Sequence, residues 1–493
     1  MESEVKPWCI RSNVVRLSLI VPLMGLITAG SAAPAARSLV EAPAASMPPR
    51  LAVLIVIDGL TSRQFSEFSG PSAPRSLRKL LAASSVNGRA SYGYAATYTA
   101  PGHATLATGV HPSTHGVCAN SWIDPASGHK VYCVEDSAYP VLGDRLKDRS
   151  GISPKHLLAD TFGDRWKASR PETLYYAVAA KDRSAVLLAG RRGEAYFFSD
   201  RSARFVTSRY YRHDYPAWWR RYYARSERAA PGARRSRWRS NILTRDEATL
   251  AFVRELIAST GIGAGSGRTD VLAVGFSALD AANHRWGPES PESAWVLRRL
   301  SIHLAELIEV LEGTAGPSGY VLALTSDHGF SRAVEPSDRV DGDRIAADLD
   351  GYLKARYGVG RAVRGWAGPL IYLDRTALSA VGADPGEAAR EAVRYLRRDG
   401  RLRNAYTASD LLAGQGPRHA RRSLAPSAGG DVYLLQRPGT ILVRSSEKNT
   451  RASHGTPYAY DARVPVVYYG LGRPAPSSTT EIAAALEAVG GAS

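Results

Sequence analysis

The chain has 493 residues, long enough for one large α/β domain with insertions or for two to three domains. Its 44% hydrophobic and 22% charged residues are a globular composition, which excludes a chain too polar to build a core. The formal net charge of +17, mostly arginine spread along the chain, favours anions such as phosphorylated solutes, anionic lipid or nucleic acid and says nothing about fold.

Lys6, Arg11 and Arg16 precede an apolar run over 17–28, and small residues follow through Gly30-Ser31-Ala32-Ala33. That is the order of a secretory signal peptide, so residues 1–33 are expected to be cleaved and the mature protein to be periplasmic or secreted. The run is too short to favour a membrane span; an uncleaved anchor is the alternative, and no other segment has the length and apolarity of a transmembrane helix. Residues 34–49 read as a Pro/Ala-rich linker.

The core begins with the continuous apolar run 51–57, a pattern that suits a parallel strand buried on both faces, and it ends at Asp58-Gly59. A helix is predicted over 73–83. The stretch Thr97-Tyr98-Thr99-Ala100-Pro101-Gly102-His103 opens like a second helix, with Thr99 as N-cap, Pro101 in the first turn and Gly109 as the stop. A helix N-terminus gathers N–H groups and partial positive charge, so a hydroxyl held there is placed to attack an anion; a lone Thr-x-Pro is ordinarily just a cap. Residues 110–140 read as a loop carrying Asn120, Cys118 and Cys133. Cys9 lies in the signal segment, and the remaining pair closes a short loop in an exported, oxidising compartment, so a Cys118–Cys133 disulfide is predicted.

A strand over 174–180 ends at Lys181-Asp182-Arg183, and a short apolar run returns over 184–189. Two cations flanking one residue can reach one small anion, although most such pairs are solvated surface charge. Residues 200–240 hold twelve arginines interleaved with Tyr210, Tyr211, Trp218, Trp219, Tyr222, Tyr223 and Trp238. Such a mixture can form a nucleic-acid or membrane-surface patch. No stacking or groove-reading motif accompanies it, so the preferred reading is an insertion beside the active site, with no specific nucleic-acid recognition.

A helix over 245–259 and a strand over 269–276 lead to Asp280 and His284, which share a helical face and so can hold one metal. A helix over 292–312 and a strand over 320–325 lead to Ser326-Asp327-His328-Gly329. Asp58, Asp280 and Asp327 thus each stand at or just after the carboxyl end of a predicted strand, which implies convergence at the edge where open α/β sheets bind ligands. Residues 334–448 break into shorter pieces and read as an inserted lobe. The sheet pattern resumes with His454-Gly455-Thr456-Pro457-Tyr458, a strand over 464–469 and a helix over 479–489. The predicted fold is α/β, a mostly parallel central sheet with helices on both faces. Its core is discontinuous (50–199, 244–333 and 449–493), interrupted by the Arg/aromatic insertion 200–243 and the lobe 334–448.

Three Asp, three His and a Thr hydroxyl are a ligand mixture that suits Zn²⁺. Asp58, Asp327 and His328 are assigned to one ion beside the Thr99 oxygen, where its charge lowers the hydroxyl pKa. Asp280, His284 and His454 are assigned to a second, and two ions about 4 Å apart can clamp both apical oxygens of an in-line phosphoryl displacement. Asn120, Lys181 and Arg183 are the donors for the remaining phosphoryl oxygens.

Taken together, Ile57-Asp58-Gly59, Thr97 to His103, His115-Gly116-Val117-Cys118-Ala119-Asn120, Lys181-Asp182-Arg183, Asp280 to His284, Ser326 to Gly329 and His454 to Tyr458 resemble the alkaline phosphatase superfamily. The resemblance runs from about residue 51 to 470, and points in particular to the periplasmic zinc phosphatases with a Thr nucleophile, relatives of the nucleotide pyrophosphatase/phosphodiesterases. It implies two Zn²⁺ in the arrangement above, a covalent phosphothreonine on Thr99, and its hydrolysis by zinc-activated water. Monoesterases of this type are similar in carrying Lys-x-Arg, whereas diesterases usually lack it, so small phosphate monoesters are the implied substrates. A phosphodiesterase or nucleotide pyrophosphatase on the same metals is the alternative. The Cys/Ser-x-Pro-x-Arg context of sulfatases is absent at Thr99. His103 and His115 are expected to support the site rather than bind metal. A non-catalytic surface-binding protein would leave the ligand set unexplained.

Overall fold

β1 (Leu51–Ile57, LAVLIVI) is buried along its whole length, and its side chains divide between two cores. Ala52, Leu54 and Val56 face one apolar cluster; Leu51, Val53, Ile55 and Ile57 face the other. A strand with apolar residues at every position can sit only in the middle of a sheet covered on both faces. The computed structural model describes residues 48–125, 127–144, 150–229, 242–265, 267–426 and 429–490, all within the unit Ala42–Ser493. The predicted signal peptide and nearly all of the predicted linker fall outside these residues, as does 230–241 of the Arg/aromatic segment.

After β1 come β2 (Ser84–Ser91), β3 (Ser121–Ile123), β4 (Lys130–Tyr132), β5 (Tyr175–Ala179), β6 (Glu194–Ser199), β7 (Arg204–Val206), β8 (Asp270–Phe276) and β9 (Tyr320–Thr325). Between 334 and 448 lie β10 (Arg339–Asp341), β11 (Val363–Ala367), β12 (Leu370–Leu373), β13 (Leu402–Thr407), β14 (Val432–Gln436) and β15 (Ile441–Val443); β16 (Arg463–Tyr469) follows. The central sheet has the order β2-β16-β9-β1-β8-β5-β6-β7. Its middle, β9-β1-β8-β5-β6, is parallel, and antiparallel pairings are confined to the margins, β16 with β9 and β2, and β6 with β7. This is the mostly parallel α/β sheet expected from the sequence. A separate four-stranded sheet, β11-β12-β14-β13, is built entirely from 363–436 and has its own apolar cluster.

The first cluster is closed by the helices Thr99–Thr108, Asp182–Ala189 and Glu481–Glu487. The second is closed by Arg75–Ala82, Arg245–Thr260 and Pro291–Ala315. Pro291–Ala315 shows why such a segment is helical. Ser290 caps it by accepting from Ser293 N–H, Pro291 stands in the first turn, and Val296, Leu300, Leu304, Leu307 and Leu311 make the buried stripe.

Several expectations change. The run 184–189 is part of the helix Asp182–Ala189, too short an apolar stretch to separate from a strand by pattern alone. The 110–140 loop contains a helical turn, Pro112–His115, and the hairpin β3–β4. Four of the seven aromatic residues of the Arg/aromatic segment lie inside the protein, Tyr210 and Tyr211 are half-buried, and Trp238 lies outside the described residues. Trp218, Trp219, Tyr222 and Tyr223 are buried around Phe205 and Phe252, with Trp219 Nε1 donating to Phe205 O (2.7 Å). They pack by the sheet margin at β6–β7 and are not presented for stacking on bases. Among the described residues no helix is long and apolar enough to cross a membrane.

The predicted disulfide is also overturned: Cys118 and Cys133 are both buried and are not bonded to each other. The Cys118 sulfur is engaged elsewhere, accepting from Ala425 N–H at 2.9 Å, and burial pushes its thiol up to about 12.

Candidate active site

Each parallel strand delivers its side chains to the same edge of the sheet, and backbone hydrogen bonds then lock the following turns together. After β1, Gly59 N–H donates to Asp327 Oδ1 (3.0 Å) and Leu60 N–H to Ser326 Oγ (2.8 Å), which joins the turn after β1 to the one after β9. Gly59 has φ +75, and a Cβ there would strike the Phe330 ring at 2.7 Å, so this turn requires glycine. The helix Ala278–Trp286, which follows β8, is tied in by Asn283 Nδ2 donating to Gly59 O (3.1 Å) and Gln64 Nε2 donating to Asn283 Oδ1 (3.0 Å). The segment carrying His454 is held by Thr97, whose hydroxyl donates to Thr456 O (3.0 Å) and accepts from Gly455 N–H (3.2 Å).

These connections gather the six predicted ligands into two groups, Asp58/Asp327/His328 and Asp280/His284/His454. Within each, one ligand atom per residue lies within 4.8 Å of the others. All three imidazoles point the same way: Nδ1 of His284, His328 and His454 faces a backbone carbonyl, Ala452 O (3.0 Å), Gly329 O (3.0 Å) and Thr97 O (2.7 Å). A carbonyl can only accept, so Nδ1 carries the proton and Nε2 is turned to the carboxylates. His328 Nε2 lies 3.4 Å from Asp58 Oδ1, and His284 Nε2 lies 3.4 Å from Asp280 Oδ1. Asp58 Oδ1, Asp280 Oδ1, Asp327 Oδ2 and His328 Nε2 are buried without a hydrogen-bond partner among the described residues. Orphaned buried acceptors of this kind are costly unless something else satisfies them, and the oxygen and imidazole donor set fits divalent cations such as zinc.

The electrostatics follow from the same packing. Burial alone would raise Asp58, but Lys181 and then His328 outweigh it and hold the carboxyl well below the usual range. Burial opposes charge on His328, but Asp327 and Asp58 push it up to about 9. Burial, then His328 and His284, keep His454 well below its ordinary value. Lys181 Nζ lies 2.6 Å from Asp58 Oδ2 and 2.6 Å from Asp280 Oδ2, so one ammonium bridges the two groups. It uses the oxygens opposite to the orphaned ones, which leaves Oδ1 of each carboxylate for a cation.

Thr99 is linked to a member of each group through its neighbours in the chain. Thr97, two residues before it, contacts His454. His103, one turn after it, has Nδ1 2.9 Å from Thr99 O and 3.2 Å from Asp327 Oδ2. The helix rests directly on the ligand strand at Gly102, where a Cβ would meet Asp327 O at 2.2 Å. Thr99 is the first helical residue and not the N-cap; Tyr98 is, and it caps nothing with its side chain. The reason is that Asn120 supplies the cap from outside, its Oδ1 accepting Ala100 N–H at 2.9 Å. Pro101 has no N–H and Gly102 N–H bonds to Tyr98 O (2.9 Å), so Thr99 N–H is the first-turn donor left without a partner among the described residues. The Thr99 side chain is buried and its hydroxyl makes no hydrogen bond among those residues.

Asn120 points its amide NH₂ end away from the backbone it caps. Lys181 and Arg183 open the helix Asp182–Ala189, and Arg183 Nη1 donates to Tyr132 Oη (3.2 Å) while its Nε is buried without a hydrogen-bond partner among the described residues. His115 is remote from both groups, with Nε2 3.1 Å from Thr105 Oγ1 and Nδ1 accepting from Val117 N–H (3.2 Å).

Two residues that support the site carry no motif. Asp246 Oδ1 accepts from Ser277 N–H (2.8 Å) and Ala278 N–H (3.2 Å), capping the helix that bears Asp280 and His284. Burial pushes its carboxyl up to about 7, against those two hydrogen bonds. Asp461 Oδ2 accepts from Thr456 N–H (3.0 Å) and Oγ1 (2.6 Å), which fixes the turn behind His454. In sequence Asp246 is an ordinary acidic residue in a helix first turn, and Asp461 follows the His454 motif by seven residues with no spacing rule to mark it.

With this geometry in place, similarity to known proteins gains meaning. Residues 52–457 match the family model described as type I phosphodiesterase / nucleotide pyrophosphatase. The chain is 28% identical over 484 residues to alkaline phosphatase PhoK of Sphingomonas sp, covering 87% of this chain and 85% of that protein. It is 28% identical over 509 residues to alkaline phosphatase PhoD of Zymomonas mobilis subsp. mobilis, covering 89% and 85%. Among solved structures, wild-type alkaline phosphatase PafA shares the fold with a TM-score of 0.79 at 20% identity, over 89% of this chain and 95% of that one.

Proposed function

Because the chain belongs to the type I phosphodiesterase / nucleotide pyrophosphatase family, within the alkaline phosphatase superfamily of hydrolases, we propose that it is an exported phosphatase of small phosphate monoesters, acting through a phosphothreonine on Thr99. The observation that carries this reading is the pair of candidate ligand groups, whose buried oxygen and nitrogen atoms include several that make no hydrogen bond among the described residues. Asp58, Asp327 and His328 would hold one zinc ion and Asp280, His284 and His454 a second, which would supply Lewis acidity and lower the pKa of the Thr99 hydroxyl.

Thr99 Oγ forms the new bond to phosphorus as the bond to the ester oxygen breaks and the alcohol leaves. Water then attacks the phosphothreonine, the P–O bond to Thr99 breaks, and phosphate departs. The three non-bridging oxygens need donors throughout. This reading assigns them to Thr99 N–H and the Asn120 amide at the mouth of one helix and to the cations Lys181 and Arg183 at the start of another. A monoester presents a dianion to these cations, a diester only a monoanion, and charge-assisted contacts favour the first. The order of residues in 1–33 supports export.

The test compares an aryl phosphate with its methyl diester, with and without chelator. The expected result is a monoester preference that chelation abolishes. Lys181→Ala and Arg183→Ala are each expected to lower monoester kcat/KM by about 10- to 100-fold, the scale of one charge-assisted hydrogen bond. Full activity after exhaustive metal removal overturns the metal reading. A second reading, phosphodiester or pyrophosphate hydrolysis at the same groups, is favoured by the description of the family model itself. It requires a diester preference that survives both substitutions.

A further inference from the structure

We propose that Tyr132 is the positioning residue for Arg183, and that through it the β3–β4 hairpin sets the preference for monoesters. The inference rests on the monoesterase reading above. Arginine is long and rotatable, and a guanidinium serves a phosphate only if something fixes its fork. Here the fixing is done by a closed set of hydrogen bonds. Tyr132 Oη donates to Asp182 Oδ1 (2.6 Å) and accepts from Arg183 Nη1 (3.2 Å), and the same Asp182 Oδ1 accepts Arg183 N–H (2.7 Å). The phenol thus links the backbone of residue 183 to the tip of its own side chain. Arg183 Nε stays buried without a hydrogen-bond partner among the described residues, so the guanidinium keeps donor capacity to spare.

The hairpin holds a second phosphoryl donor as well. Tyr132 pairs across the ladder with Ser121, and one residue beyond, Cys133 N–H donates to Asn120 O (3.2 Å). Asn120 and Tyr132 therefore leave the same open end of one short hairpin, the first to cap the Thr99 helix and the second to hold Arg183. The hairpin's outer side is braced by the inserted lobe. A Cβ on Gly365 of β11 would lie 3.2 Å from Ile123 Cδ1, and one on Gly128 at the hairpin turn would lie 2.4 Å from Arg364 Nη1. The metal groups, by contrast, are built on the turns of the central sheet. Hairpin and lobe can therefore act on the phosphate side of the reaction while leaving the ligand groups alone.

The experiment is a double-substitution cycle with Tyr132→Phe and Arg183→Ala on the metal-loaded enzyme, reading kcat/KM for the aryl monoester and its methyl diester. Metal content and Tm of every variant are measured alongside. Tyr132→Phe is expected to lower monoester kcat/KM about tenfold, with a clearly smaller loss on the diester, and to cost less than about twofold more once Arg183 is already Ala. A large Arg183→Ala loss with no Tyr132→Phe loss overturns the inference and leaves the monoesterase reading intact. So does a Tyr132→Phe loss that is equal on both substrates or persists in the Arg183→Ala background. No monoester loss from Arg183→Ala itself overturns the parent reading.

Discussion

His328 and His454 stack with ring centroids 3.5 Å apart and an interplanar angle of 12°, yet their protonation is driven in opposite directions. Carboxylates surround the first, and the charge of the first suppresses the second. Asp461 shows the complementary case of a carboxyl held neutral. Burial raises it from its ordinary value of 3.8 to about 8, although Thr456 donates two hydrogen bonds to it. Between those values the folded chain holds a proton that the unfolded chain has released, so the stabilisation is complete below about pH 4 and is lost as pH rises through about 8. Asp461→Asn keeps an acceptor for Thr456 and removes the titration. In the metal-stripped protein the Tm of Asp461→Asn relative to the parent is therefore expected to increase from pH 6 to pH 9. Parallel Tm–pH curves would show that Asp461 is ionised throughout.

At the scale of the element, the helix Ala278–Trp286 depends on a cap it does not own. Its N-cap residue, Ser277, makes no side-chain cap, and Asp246 from the preceding helix does so instead. Loss of an N-cap costs about 0.5–2 kcal/mol, and here the first turn carries Asp280. Asp246→Ala is expected to lower Tm by a few degrees and, in chelator competition, to release one metal equivalent more readily than the other. Asp246→Asn should recover part of both. Equal release of both metals would assign Asp246 to the fold alone. The same borrowing explains which features the sequence revealed. β1, β8 and β9 are legible because burial on both faces writes a continuous apolar run. The candidate metal ligands are legible because each follows such a strand or sits in a short motif. β2, with the sequence SSVNGRAS, and the hairpin β3–β4 have no such run, being half-exposed at the margin or outside the sheet. Thr99 reads as a cap because the true capping group, Asn120, lies 20 residues beyond Ala100, whose N–H it accepts. Tyr132 and Asp246 act through other residues, and nothing local distinguishes them from surface polar groups.

At the scale of the molecule, the two ligand groups draw on the turns after β1, β8 and β9 and on the segment before β16. A cation bound there interacts with the folded chain and not the unfolded one, and it relieves buried carboxylates that Lys181 satisfies only in part. Chelation is therefore expected to lower Tm cooperatively for the whole catalytic unit. The linkage amounts to about 2.7 kcal/mol at a metal concentration 100 times Kd. Scanning calorimetry with and without chelator checks it, and an unchanged Tm would place the metals outside the stabilising framework. The four-stranded lobe sheet has its own apolar cluster and holds none of the ligands, so its contribution to that shift is expected to be indirect.

β16 has a consequence for biogenesis. It lies between β9 and β2, so the sheet stays split until residues 463–469 arrive, and His454 comes only shortly before them. A ribosome releasing this chain from its N-terminus exposes Asp58 and Thr99 hundreds of residues before the final imidazole exists. The nascent polypeptide thus cannot trap both metals in a finished centre until His454 has been made and β16 can join the sheet.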